Sequence, residues 1–238
     1  MSVAYHLSSR TFACLTGRYC MFLDLKRDSY FSVPRGEMEE LAPWIHGWRL
    51  TACSAATPDS RPSEAAAALA AQLQAAGVLM DGPSENAAPA HEVPAATHDL
   101  DYAAPADDNA DQTCPLRLVT AALLYADWAL RTVPIARIVD AVRTRKRGHP
   151  TACSADCNRV CRLTAAFREY RPFYPRNYLC LFDSLALIRF LSRFDQYPDW
   201  VFGVQDDPFS AHCWVQFGTL VLNDRLDRVS SYTPIMTV

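Results

Sequence analysis

Short apolar or alternating runs at residues 4–8, 19–25 and 29–33 predict three strands near the start of the chain, the last two forming a hairpin over Lys26, Arg27 and Asp28. Apolar positions then change to helical spacing. Met38, Leu41, Ile45 and Trp48 share one face of residues 37–48, and Leu69 and Leu73 lie one turn apart in the alanine-rich stretch 62–76, which Gly77 closes as a C-cap. Farther on, residues 116–145 predict a helix kinked at Pro134, residues 152–169 a second helix, and residues 180–191, apolar on nearly every side, a buried third. Residues 211–217 alternate as a strand against the core, and Gly218 and Thr219 turn the chain into residues 220–224. Strands and helices in separate runs give an α+β fold class.

Between the two halves the pattern fails. Residues 81–112 contain no Lys or Arg, eight acidic side chains and four prolines among many alanines. Such a stretch buries too little apolar surface to offset its ordering entropy, so it reads as a linker. The expected organisation is a first domain at 1–80, an acidic Pro/Ala-rich linker at 81–114 and a second domain at 115–238. The chain of 238 residues is 50% hydrophobic and 21% charged, which is globular composition and excludes a collagenous or coiled-coil protein. A net charge of −3 gives no general affinity for phosphate backbones, so no nucleic-acid partner is expected. The basic run Arg143, Arg145, Lys146 and Arg147 is read as cations at a helix C-terminus. The apolar region 116–142 is interrupted by Arg117, Asp127, Arg131 and Arg137, so no membrane span is expected. The first ten residues carry no export signal, and nine cysteines is an odd number, which points to reduced thiols and a cytoplasmic location.

One of those thiols is placed for chemistry. Cys180 opens the buried helix, where unpaired amides and the helix dipole stabilise a thiolate, and its own N–H can face an oxyanion. A nucleophile needs a base. Among His6, His46, His91, His98, His149 and His212, only the last two share its domain; His149 sits in a Gly-Pro loop, whereas His212 lies near the start of the strand 211–217. Asp224 would complete a triad by orienting the imidazole. A three-residue turn over 217–219 would make His212 and Asp224 direct cross-strand partners, with Cβ atoms about 5 Å apart, whereas a two-residue turn would put them on opposite faces. The odd-length turn is therefore expected. The order Cys, His, Asp is that of papain-like and transglutaminase-like hydrolases. Cys153, Cys157 and Cys161 share one helix face, but no fourth ligand is near, so they are read as packing residues and no metal is expected. Alternation turns Cys213 away from the His212 face.

At these residues the chain resembles the B proteins of lasso-peptide biosynthesis, the leader peptidases of microcin-type ribosomal peptides. The matching segments begin with Cys180-Leu-Phe-Asp-Ser-Leu-Ala-Leu and Phe202-Gly-Val204; Pro208-Phe-Ser-Ala-His-Cys-Trp-Val215 and Val221-Leu-Asn-Asp224 follow. The resemblance implies a transglutaminase-like cysteine peptidase with Cys180, His212 and Asp224 as catalytic triad. It implies a winged-helix-like domain at 1–80, three strands followed by three helices, that binds the leader of a precursor peptide as an added strand. Candidate leader contacts are Tyr30, Phe31, Val33, Leu69 and Leu73. It further implies a separate partner, an asparagine-synthetase-like lasso cyclase; no cofactor belongs to this chain, and ATP enters through that cyclase. Beyond the Cys180 amide, Asn177 is a candidate second oxyanion donor. A thiol acyltransferase with the same triad and a non-catalytic peptide-binding module are the alternative readings.

Overall fold

The computed structural model describes residues 5–48, 62–82, 93–100, 116–147 and 157–238. His91, His149, Gly148, Cys153, residues 152–156 of the helix expected at 152–169, and linker residues 83–92 and 101–114 lie outside them. The chain divides into two units, Met1–Ala90 with Gln205–Ser210, and His91–Val204 with Ala211–Val238.

The first unit runs β1 (Tyr5–Leu7), β2 (Thr11–Leu15), β3 (Tyr19–Asp24), β4 (Ser29–Pro34), α1 (Arg35–Leu41), a 3-10 turn at Ala42–Trp44, α2 (Glu64–Ala75) and β5 (Leu79–Asp81). The predicted hairpin is β3–β4, with Phe22 opposite Phe31 and Leu23 opposite Tyr30. Its third strand is not the segment 4–8. β2 fills that place in the order β2-β3-β4, and β1 pairs with β5 in a separate two-stranded sheet. Residues 11–15 escape a pattern reading because their burial does not alternate. The helix expected over 37–48 ends at Leu41, since Pro43 has no amide to donate and Ile45 is extended at φ −97° and ψ 114°. Ser63 caps α2 by accepting from the Ala66 amide at 3.1 Å. At its other end Gly77 has φ 70°, and the amides of Gly77 and Val78 donate to the carbonyls of Gln74 and Leu73, a Schellman closure. Phe22, Met38, Leu41 and Leu79 form the centre of this unit's core. Each such side chain contributes about 1.5–3 kcal/mol of burial free energy.

In the second unit β6 (His98–Asp99) precedes α3 (Leu116–Thr132), α4 (Ile135–Arg147), α5 (Cys157–Tyr170), a 3-10 turn at Arg171–Phe173 and α6 (Cys180–Leu191). β7 (Asp199–Asp206), β8 (Phe209–Phe217), β9 (Leu220–Val221), α7 (Leu226–Val229) and β10 (Thr233–Thr237) follow. Pro134 does more than kink the helix expected over 116–145: the helix stops at Thr132 and a new one starts at Ile135. α6 has the predicted bounds, and eight of its residues are buried, from Phe182 to Leu191. The sheet order is β10-β7-β8-β9-β6. No described helix is long and apolar enough to cross a membrane.

Two expectations are corrected here. Residues 93–100 are not linker: β6 lies parallel to β9, the Thr97 and Leu100 amides donate to Thr219 and Val221, and Val93 and Ala96 pack on the core. Composition misled because the sheet edge supplies the hydrogen bonds and apolar contacts that the segment lacks by itself. The hairpin turn is also shorter than expected. Gln216 pairs with Val221 and Phe217 with Leu220, leaving Gly218 and Thr219 as a two-residue loop. Gly218 has φ 60°, the glycine-first arrangement of a II′ turn, whose twist matches the right-handed twist of the flanking strands.

Candidate active site

Cys180 is the first residue of α6, and Leu179 before it is extended at φ −136° and ψ 123°. No side chain of the N-cap residue closes this helix end. Instead Asp183, in the first turn, reaches back to accept the Leu179 amide at 2.7 Å. The other oxygen of Asp183 is paired with the guanidinium of Arg171, which is 2% exposed. Arg171 also donates to the carbonyls of Tyr174, Arg176 and Asn177, at 3.4, 3.1 and 3.2 Å. One buried cation thus fixes the loop that delivers Cys180. Asn177, the candidate oxyanion donor, is exposed and its carbonyl is one of the Arg171 acceptors.

His212 projects from β8 and is 6% exposed. Its Nε2 lies 2.5 Å from Oδ2 of Asp224. The Cys180 thiol lies close enough to the same imidazole to act with Asp224 in raising it. The three residues singled out from the sequence therefore come together, although the turn length on which that expectation rested is wrong. Beyond Val221 the backbone leaves the ladder and bends through residues 222–224, carrying Asp224 to the His212 side.

The electrostatics suit an ion pair. The Cys180 thiol is lowered to about 4, chiefly by a hydrogen bond from the Cys213 side chain and then by the His212 imidazole, which together outweigh burial. Burial works against a charged His212, but hydrogen bonds to Asp224 and Cys180 and their negative charges raise it to about 9. Burial also opposes the Asp224 carboxylate, yet the hydrogen bond from His212 keeps it below its ordinary range. Between those limits the site holds a thiolate beside an imidazolium. Cys213, which alternation sets on the other face of β8 from His212, is buried with its Sγ 3.9 Å from Ser184 Oγ on α6, and its thiol is pushed well up by burial and by neighbouring Cys180.

Sequence reasoning missed Arg171, Ser184, Gly203 and Asn223. Asp183, an acid in the first turn of a helix, was the only local signal for the first. Gln216 is 1% exposed; its Oε1 accepts from Trp214, and its Nε2 donates to the carbonyls of Pro94 and Gly218. Among the described residues no group of three or more His, Cys, Asp or Glu is placed to hold a metal ion. Cys157 and Cys161 are half-buried at the rim of the apolar face of α5, and burial together with Cys157 pushes the Cys161 thiol up to about 11.

Of the candidate leader contacts, Val33 and Leu73 are buried in the core of the first unit, and Phe31 and Leu69 pack against it. Phe31 stacks on Phe22 with ring centroids 4.9 Å apart. Tyr30 is half-buried on β4, an outer strand of its sheet.

Residues 120–237 match the transglutaminase-like superfamily, a span that includes Cys180, His212 and Asp224. No curated protein and no solved structure matches the chain. The second unit thus carries a transglutaminase-like domain of mixed helices and strands, a fold that goes with cysteine protease or acyltransferase chemistry.

Proposed function

We propose, from the transglutaminase-like domain at residues 120–237, that this protein is a cysteine peptidase that removes the leader from a ribosomally made lasso-peptide precursor. The observation that carries the chemistry is the Cys180–His212–Asp224 cluster, with Nε2 of His212 held 2.5 Å from Asp224 and a Cys180 thiol lowered in part by the same imidazole. The Cys180 thiolate attacks the carbonyl carbon joining leader and core, and the oxyanion meets the Cys180 amide at the start of α6. The imidazolium of His212 gives its proton to the leaving amine, and the leader remains as a thioester. His212 then takes a proton from water, the hydroxide attacks the thioester, and the free acid leaves with the thiolate restored. Asp224 holds the ring in the required orientation throughout.

The capture of a leader is assigned to the first unit, supported by its three-stranded sheet with β4 on the outside and by α2 nearby in the same core. An extended peptide added to such an edge gains backbone hydrogen bonds, and Tyr30, Phe31 and Leu69 are the side chains proposed to touch it; buried Val33 and Leu73 support them from beneath. A separate asparagine-synthetase-like cyclase consumes the released core with ATP, in the cytoplasm.

The test is mass spectrometry of precursor peptides encoded beside this protein, incubated with wild type and Cys180→Ala, with and without the neighbouring cyclase and ATP. Cleavage between leader and core by wild type alone supports the peptidase. A product with the acyl group on an amine makes the protein an acyltransferase. Equal cleavage by both proteins removes Cys180 as nucleophile, and leader binding without cleavage leaves a binding module.

A further inference from the structure

Val215 and Leu222 face each other as the next pair of the β8–β9 ladder, and only half of that pair is made by backbone: the Leu222 amide donates to the Val215 carbonyl at 2.9 Å. The reciprocal donor, the Val215 amide, bonds instead to Oδ1 of Asn223 at 2.7 Å. A side-chain amide has taken the place of a backbone carbonyl, which lets the main chain turn out of the strand without orphaning a buried N–H. The other end of the same amide donates from Nδ2 to Oγ of Ser184 at 2.9 Å, and Ser184 in turn donates to the Cys213 carbonyl at 3.4 Å. Ser184 lies one turn after Cys180 on α6 and is fully buried.

Asn223 therefore touches all three elements that carry the proposed triad: the helix of Cys180, the strand of His212 and the bend of Asp224. We infer that Asn223 is a positioning residue, which with Ser184 aims the Asp224 carboxylate at His212 across a hairpin register that would otherwise turn it away. This rests on the triad chemistry proposed above and adds to it the group that sets the geometry. Both ends of the Asn223 amide are engaged by buried or half-buried partners, so the side chain has one orientation, and a half-satisfied network here would be worse than none.

The test reads His212 directly and needs no peptide. In the full-length protein with ring-labelled histidine, His212 is titrated by NMR; its environment comprises Cys180 from α6, Asp224 from the bend and the rings of Trp214 and Tyr232. Asn223→Ala is expected to lower its midpoint from about 9 by about one pH unit or more, because Asp224 no longer holds the charged ring. Asn223→Asp keeps an acceptor for the Val215 amide and lets the Ser184 hydroxyl donate, so it is expected not to lower the midpoint. Ser184→Ala removes only the tie to α6 and is expected to lower it by less than Asn223→Ala. A folded Asn223→Ala with a wild-type midpoint overturns the inference, and so does an Asn223→Asp midpoint lowered as far as that of the alanine variant. Should Asn223→Ala not fold, an unshifted Ser184→Ala overturns it alone. Loss of leader cleavage by itself bears on the proposed function and leaves this titration unaffected.

Discussion

His212 meets Asp224 at 2.5 Å although continuation of the β8–β9 ladder sets Arg225, not Asp224, opposite it. The contact is made by a bend after Val221 and not by strand register, so it depends on the few residues that shape the bend. It is also what keeps the imidazole charged next to a thiolate.

Asp224→Asn is accordingly expected to drop the His212 midpoint from about 9 toward its ordinary value and to reduce peptide cleavage by roughly two to four orders of magnitude. An amide can still accept from Nε2, so the fold should persist and the thermal midpoint change little. NMR titration and single-turnover cleavage check the two parts separately.

Among the described thiols, Cys180 should react first in mild acid. At pH 6 it is ionised, whereas burial raises Cys14 and Cys20 to about 12 and Cys161 to about 11. Iodoacetamide at pH 6 followed by peptide mapping should modify Cys180 well before these three. Cys213→Ala removes the hydrogen bond that contributes most to the low value, so the pH midpoint of Cys180 alkylation should move upward from about 4. An unchanged midpoint would assign the low value to His212 alone.

Much of this was legible from residue order. α6 keeps its predicted ends because a segment apolar on all sides has few other ways to be buried, and the β3–β4 hairpin follows from Lys26 to Asp28 separating two strand-forming runs. The triad members were readable as residue types at helix and strand starts. Their geometry was not: the turn length was set by twist at Gly218, and the facing of Asp224 by an Asn223 side chain bonded to a residue eight positions earlier and another thirty-nine earlier. Arg171 and Asp183, twelve residues apart with a loop between, leave no periodic trace. Residues 93–100 look unstructured by composition and gain their order from β9.

The Arg171–Asp183 pair predicts an asymmetry. Arg171→Ala leaves Asp183 and three loop carbonyls without their donor inside the protein, and removing one partner of a buried pair typically costs about 3–5 kcal/mol. Asp183→Asn retains an acceptor for the Leu179 amide and should cost less. Urea unfolding of the two variants decides; equal losses would mean that the carbonyl contacts of Arg171 contribute little.

Gly203 is the close approach behind His212. A Cβ there would lie 2.8 Å from Cζ3 of Trp214 and 2.9 Å from Cβ of Tyr232, the two residues whose rings flank the imidazole at 6.2 and 5.1 Å between centroids. Trp214 is 2% exposed and has little room to retreat. Gly203→Ala should therefore destabilise the protein by about 1–3 kcal/mol and shift the His212 ring resonances, while a wild-type thermal midpoint would show that the two rings can separate.

The ion pair should also be visible in how stability varies with pH. Cys180 is lowered from 9.0 to about 4 on folding, so its contribution is complete above pH 9 and is lost as pH falls toward 4. His212 is raised from 6.5 to about 9, so its contribution is complete below pH 6.5 and is lost as pH rises toward 9. From pH 4 to 6.5 only the thiol binds different numbers of protons in the two states, and the pair adds stability as pH rises. From 6.5 to 9 the unfolded chain holds the proton on sulfur and the folded one holds it on imidazole, so the two effects cancel and the pair is flat. Cys180→Ala deletes the thiol's half of that exchange and also the hydrogen bond and charge by which Cys180 helps raise His212, so the clean difference lies below pH 6, where the variant should lack the gain in stability that wild type shows as pH rises from 4. Taking the difference between the two proteins removes every other titrating group they share. Urea midpoints at several pH values from 4 to 6 measure it, and parallel curves for the two proteins over that range would mean that no thiolate–imidazolium pair forms in the folded state.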